Sequence, residues 1–219
     1  LVNGMNYPVT FGTFHSVFYS ILKQEYGINS HHLLSEQESL IILKESLNQT
    51  YIESDVQVED EEELLRDIAQ EIGVVKNGLY RLDEFHSQHL NTDEFTELFR
   101  AYESKKKQVH KFDFDDMLVQ CYALFRKYSS VLHQWQRVFR YILIDEFQDI
   151  NKVQYEVIKM LALPENNLFV VGDDDQSIYG FRGSDPEFMQ DMRKDFPNLS
   201  VIPLSYNYRS TEYIVGAAS

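Results

Sequence analysis

Cysteine is almost missing from this chain. The single Cys121 excludes an internal disulfide framework and makes a cytoplasmic setting the default expectation. No apolar run approaches the ~18 residues of a membrane span, and no basic-then-apolar signal opens the chain, so no membrane partner is expected. The histidines lack zinc spacing: His31-His32 and His86/His89 have no cysteine partners. There is no Ser/His/Asp hydrolase elbow. Positive charge is also short, with 20 Lys and Arg against 35 Asp and Glu. A net charge of −15 argues against a surface that attracts nucleic acid everywhere. Finally, no Gly-x-x-x-x-Gly-Lys-[Ser/Thr] occurs, so the loop that cradles phosphates is not among these 219 residues. The first residue is Leu1 rather than Met, and the expectation is a chain cut from something longer.

What is present suffices for a real core. The composition is 43% hydrophobic and 25% charged, an ordinary globular balance at a length of one large domain or a domain with an insertion. The acidic excess is uneven. From Tyr51 to Ile72, Glu53, Asp55, Glu59, Asp60, Glu61, Glu62, Glu63, Asp67 and Glu71 face only Arg66. Such a run reads as a solvated helix face or linker. Lys105–Lys107 and Arg137/Arg140 remain as basic stretches that could meet a phosphate backbone.

Patterning predicts strands at Tyr7–Thr13, Arg140–Ile144, Leu168–Val171 and Leu199–Leu204. A helix should follow the first strand and stop at Gly27. Ser35 with Glu38 forms a capping box for the next helix. A helix over Glu61–Ile72 should break at Gly73 and again at Asn77-Gly78, and another should cover Asp93–Lys106. Asp113 with Asp116 can cap a helix running to Tyr128, directly before the Arg140 strand. Further helices are expected over Asn151–Leu163, from Ser184-Asp185-Pro186 to before Pro197, and from Thr211. Strands alternating with helices imply an α/β fold with a parallel sheet. The helical stretch 28–110 reads as an all-α insertion between 1–27 and 111–219.

The chemistry concentrates at Tyr141–Asp149, Tyr-Ile-Leu-Ile-Asp-Glu-Phe-Gln-Asp. An uninterrupted apolar run suits a strand buried on both faces, and its C-terminal tip is where α/β sheets place ligands. Asp145 and Glu146 there can direct Mg²⁺ and activate water. A strand that simply ends in solvent is the alternative, and the motif alone does not separate the two. Asp173–Asp175 reads as a solvated turn, since three consecutive side chains cannot all face one ion from an extended backbone.

Four segments occur in order: Thr13-Phe14-His15-Ser16; Leu143 to Asp149; Val171-Gly172-Asp173-Asp174-Asp175-Gln176-Ser177-Ile178-Tyr179-Gly180-Phe181-Arg182-Gly183; and Asn207-Tyr208-Arg209-Ser210. Together they resemble consecutive signature motifs of the UvrD/PcrA/Rep family of superfamily 1 DNA helicases, and Phe112–Leu118 is similar to a further segment of that family. The resemblance implies a P-loop NTPase-like (RecA-like) core carrying the insertion, with ATP and Mg²⁺ as cofactors. It implies catalytic roles for Asp145 (the Mg²⁺ ligand), Glu146 (general base), Gln176 (γ-phosphate sensing) and Arg209 (charge on the transferring phosphoryl group). Tyr208 would pack against the nucleotide beside Gln176 and Arg209. Thr13, His15, Ser16, Tyr179, Phe181 and Arg182 would meet single-stranded DNA. The family often has Trp where this chain has Phe181, which leaves a smaller stacking platform.

The expected parent is therefore an ATP-dependent helicase or translocase on single-stranded DNA and duplex junctions, with repair or recombination proteins as further partners. Lacking the phosphate loop, the chain alone should be inactive. Two alternatives stand: a non-catalytic DNA- or protein-binding module, and the motor part of a helicase–nuclease.

Overall fold

The computed structural model describes residues 9–50, 61–173, 176 and 187–218. Its first helix, α1 (Phe14–Tyr26), starts where a side chain can satisfy a free amide. Thr13 Oγ1 accepts from Ser16 N, and at the other end Gly27 takes φ 68° and donates to the Lys23 carbonyl. Capping boxes set the starts of α2 (Glu36–Gln49, from Ser35 and Glu38), α4 (Thr92–Gln108, from Asn91 and Glu94) and α5 (Phe114–Lys127, from Asp113 and Asp116).

Between α2 and α4, α3 runs from Glu61 through Gly78, past the break expected at Gly73. That glycine is where α3 meets α5: a Cβ there would lie 3.0 Å from Asp115 Oδ2. Close packing outweighs the ~1 kcal/mol that a helical glycine costs. A helix outside the expected set, α6 (Ser129–Val138), follows α5. It lacks a side-chain cap and is held by tertiary contacts, with Trp135 buried and its Nε1–H donating to Glu25 Oε1 at 2.9 Å.

The sheet is small. Strands β1 (Ile142–Ile144) and β2 (Leu168–Val170) pair in parallel with Ile142 opposite Leu168 and Ile144 opposite Val170. The crossover between them is α7 (Lys152–Ala162), capped by Asn151 and Gln154. Helix α8 (Glu187–Asp195) and the short α9 (Glu212–Ala218) complete the described elements.

Two expected strands are not formed among the described residues. Residues 9–13 are irregular, Tyr7 and Pro8 lie outside the described residues, and 199–204 run without a ladder partner. An apolar sequence becomes a strand only when a neighbour takes its backbone groups, and Val201, Ile202 and Leu204 stay exposed. The outer sheet face is open too, with Leu143 74% and Phe169 59% exposed.

Among the described residues, three apolar clusters organise the interior. Helices α1, α5, α6 and α7 share one, around Phe18, Ile21, Leu118, Cys121, Phe125 and Val157. The inner sheet face, the opposite side of α7, and α8 share a second through Ile144, Phe147, Tyr155, Ile158 and Met192. A separate cluster belongs to α2, α3 and α4, around Leu43, Ile68, Ile72, Phe95 and Leu98. Where the chain enters and leaves that helical segment it touches itself: Phe112 N donates to His32 O and Leu34 N to Phe112 O, both at 2.9 Å.

A buried ionic cage joins the helical segment to α5. Lys76 of α3 and Lys106 of α4 lie among Glu103, Asp113 and Asp116, with every ammonium–carboxylate distance between 2.6 and 2.8 Å. Tyr102 also donates to Asp113 Oδ2 at 3.0 Å. Burial raises a carboxyl and lowers an ammonium. The two lysines outweigh it at Asp113 and hold that group below the usual range, while the three acids outweigh it at Lys76 and hold the ammonium well above its ordinary value. Three carboxylates share two cations, and the excess falls on Asp116, raised by burial and by Asp113 and Glu103 despite both lysines. The same Asp113 and Asp116 form the α5 capping box, so one pair of side chains starts a helix and ties two others to it.

Candidate nucleotide-facing site

Strand β1 delivers Asp145 and Glu146, both exposed, to its C-terminal tip. The chain then turns sharply. Glu146 takes φ 52°, ψ 47°, a left-handed conformation rare for a residue with a β-carbon, and a single 3₁₀ turn, Phe147–Asp149, follows. The residue just after β2 fixes this turn: Phe147 N donates to Val171 O and Val171 N to Ile144 O, both at 2.9 Å. Asp145 Oδ1 accepts from Glu146 N at 3.1 Å.

Glu146, Gln148, Asp173 and Gln176 connect the two strand tips, Asp173 through both its backbone amide and its carboxylate. Gln148, 2% exposed, donates from Nε2 to Glu146 Oε2 at 2.8 Å and accepts at Oε1 from Asp173 N at 3.1 Å. Asp173 in turn accepts at its carboxylate from Gln176 Nε2. The expected site residues Glu146 and Gln176 therefore stand at the two ends of one hydrogen-bonded chain. Asp149 borders it, with its carboxyl pushed up by burial and by the Glu146 charge.

The motifs gave Gln148 no role and read Asp173 only as part of a solvated turn. The sequence offers no signal for this bridge beyond a glutamine lying between Glu146 and Asp149, since its partner Asp173 is at the tip of the other strand.

The remaining expected residues lie apart from that chain. Tyr208 (93% exposed) and Arg209 sit in a turn where Asn207 Oδ1 accepts from the amides of Arg209 and Ser210, both at 2.9 Å. No described polar contact joins their side chains to Asp145 or Glu146. Thr13 and Ser16 occupy the start of α1, where Ser16 Oγ donates to Thr13 O at 2.8 Å. His15 packs against the Phe114 ring, centroids 5.6 Å apart, and burial lowers its pKa against the opposing pull of Asp115. Together with Asn77, Asp115, Asp149 and Gln154 it lines an open groove of about 800 Å³ between α3, α5 and the start of α7. Tyr179, Phe181 and Arg182 lie outside the described residues.

The donor set at the β1 tip suits a hard cation. Asp145 and Glu146 present exposed carboxylate oxygens, and Mg²⁺ binds through one or two carboxylates while keeping several waters. Glu103, Asp113 and Asp116 also converge, but the two lysine ammoniums fill the space among them.

Parallel strands with acidic C-terminal tips and a helical crossover define a helix-rich α/β domain with a ligand-facing edge. Residues 3–197 match the UvrD/REP helicase N-terminal domain, and the chain belongs to that family. It is 44% identical over 210 residues to the putative ATP-dependent DNA helicase YjcD of Bacillus subtilis, covering 94% of this chain and 27% of that protein. To the ATP-dependent DNA helicase Rep of Escherichia coli it is 34% identical over 213 residues, 94% of this chain and 31% of Rep. To the ATP-dependent DNA helicase PcrA of Staphylococcus aureus it is 41% identical over 136 residues, 62% of this chain and 18% of PcrA. The chain thus spans less than a third of the length of these relatives. No helix among the described residues is long and apolar enough to cross a membrane.

Proposed function

We propose that this chain is the larger part of the first motor domain of an ATP-dependent DNA helicase acting in the cytoplasm, a RecA-like core at 1–27 and 111–219 with a helical insertion at 28–110. The insertion is supported by the separate apolar cluster of α2, α3 and α4 and by the Phe112 backbone bonds that bring its two ends together. The motor reading rests above all on Glu146. A non-glycine residue in the left-handed region at a strand tip costs ~1–3 kcal/mol and persists where the surroundings over-determine it. The cost is understandable if the side chain must be aimed at a substrate.

In this reading Glu146 takes a proton from the water that attacks the γ-phosphate, a general-base contribution of ~10²–10⁴-fold. Asp145 would hold Mg²⁺, which when bound neutralises phosphate charge. Gln176 senses the γ-phosphate through its amide, Arg209 stabilises charge on the transferring group, and Tyr208 packs on the nucleotide. Thr13, His15 and Ser16 at the α1 start, with Tyr179, Phe181 and Arg182, face single-stranded DNA near duplex junctions. Repair or recombination proteins are the natural further partners.

The test uses the full-length protein that contains this chain. Glu146→Gln should reduce DNA-stimulated ATP hydrolysis at least ~10²-fold while ATP and DNA still bind. Undiminished turnover would remove Glu146 from the chemistry. The 219-residue chain alone, without a phosphate-cradling loop, should show no turnover. Turnover by it that Glu146→Gln abolishes would refute that half of the proposal.

A further inference from the structure

We infer that Gln148 is a positioning residue for ATP hydrolysis, holding the Glu146 carboxylate against the tip of β2 so that base and phosphate sensor are set together. The inference rests on the assignment of Glu146 as the general base. The left-handed backbone at Glu146 points its side chain away from the regular strand, and among the described residues no side chain other than Gln148 hydrogen-bonds its carboxylate.

The Gln148 amide has one workable orientation. Asp173 N–H needs an acceptor and the Glu146 carboxylate needs a donor, so reversing the amide would set like against like at both ends. The site is also built to admit it. A Cβ at residue 172 would stand 2.8 Å from Gln148 Oε1 and 3.2 Å from Gln148 N, a space that only glycine leaves. Beyond Asp173 the chain of bonds reaches Gln176. A shift of the β2 tip on phosphate binding or release would therefore be transmitted to the carboxylate of Glu146 through a single buried amide.

Steady-state ATPase assays on the full-length protein with single-stranded DNA test this. Gln148→Met removes the hydrogen bonds to Glu146 and Asp173 at nearly constant volume. Gln148→Glu keeps an acceptor for Asp173 N–H but removes the donor and sets a like charge beside Glu146. Gly172→Ala displaces the amide without touching it chemically. All three should lower kcat ~10–100-fold, the scale of an ~1 Å misplacement, with KM for ATP within ~3-fold of the parent. In the Glu146→Gln background, Gln148→Met should cause no further loss, because two residues acting as a unit are not additive.

A kcat within ~3-fold of the parent for Gln148→Met and Gln148→Glu would overturn the inference, as would a full multiplicative loss in the double variant. An unchanged rate for Glu146→Gln alone would instead overturn the underlying base assignment. A Gln148→Met protein that fails to fold leaves Gln148→Glu and Gly172→Ala to decide, with the kcat-selective loss as the supporting result.

Discussion

Replacing Lys106 by Met should destabilise the chain by about 3–5 kcal/mol, the usual effect of removing one partner from a buried ion pair. Lys106 is 1% exposed and lies 2.6 Å from Asp113 Oδ2, 2.6 Å from Asp116 Oδ2 and 2.7 Å from Glu103 Oε1. Methionine preserves most of the stem packing, so the loss isolates the charge. Buried Asp116 and half-buried Asp113 and Glu103 would then face Lys76 alone. With a urea slope of ~2–3 kcal/mol/M, the unfolding midpoint at pH 7 should fall by about 1–2.5 M without a change of slope.

The pH dependence carries a definite sign. In the parent, Asp113 is held below its ordinary pKa, so its contribution is present above that value and fades as pH falls through the lowered one. In the variant the uncompensated acids are raised, and they gain by taking up protons. Both effects narrow the gap between parent and variant as the solution is acidified. Adding Asp116→Asn to Lys106→Met should restore part of the midpoint, since Asp116 already carries the excess in the parent. A midpoint shift below ~0.3 M, or a gap that widens in acid, would refute the cage as a source of stability.

Glu38 is held down to about 2 by the Lys111 ammonium, with Ser35 adding its backbone and hydroxyl donors. The stability it contributes is present above its ordinary pKa and lost as pH falls toward about 2. A side-chain carboxyl titration by NMR should therefore show a midpoint near 2, whereas an ordinary midpoint would show the Lys111 contact to be absent in solution. Cys121 is fully buried and its thiol is pushed far up by burial, so a thiol reagent should label the chain only after denaturation. Rapid stoichiometric labelling of the native chain would contradict that placement.

Local chemistry was legible in the sequence, and long-range partnership was not. The Gly27 stop and the Ser35–Glu38 and Asp113–Asp116 boxes were all readable, because each is settled by hydrogen bonds within one or two turns of chain. Gly73 was misread because its reason is Asp115, which lies on another helix. Helix α6 escaped notice for the same kind of reason: it has no cap, and Trp135 finds its partner at Glu25. Residues 199–204 have the apolar character of a strand without a neighbour to pair with among the described residues. At the site, the position of Asp145 and Glu146 followed from the apolar run before them. The left-handed turn at Glu146 and the bridging amide of Gln148 depend on where β2 ends, and no motif states that.

The meeting of His32 and Leu34 with Phe112 has a consequence for how this domain can vary. Because the segment between them departs and returns at one point, it imposes no distance on the rest of the chain, and closing a longer loop there adds only ~0.6 kcal/mol per doubling of length. Such an attachment tolerates lengthening at its far end. Its root is less permissive: Lys76 and Lys106 clamp it to the first turn of α5 while α3 also packs against α7, so an insertion there would have to part both contacts.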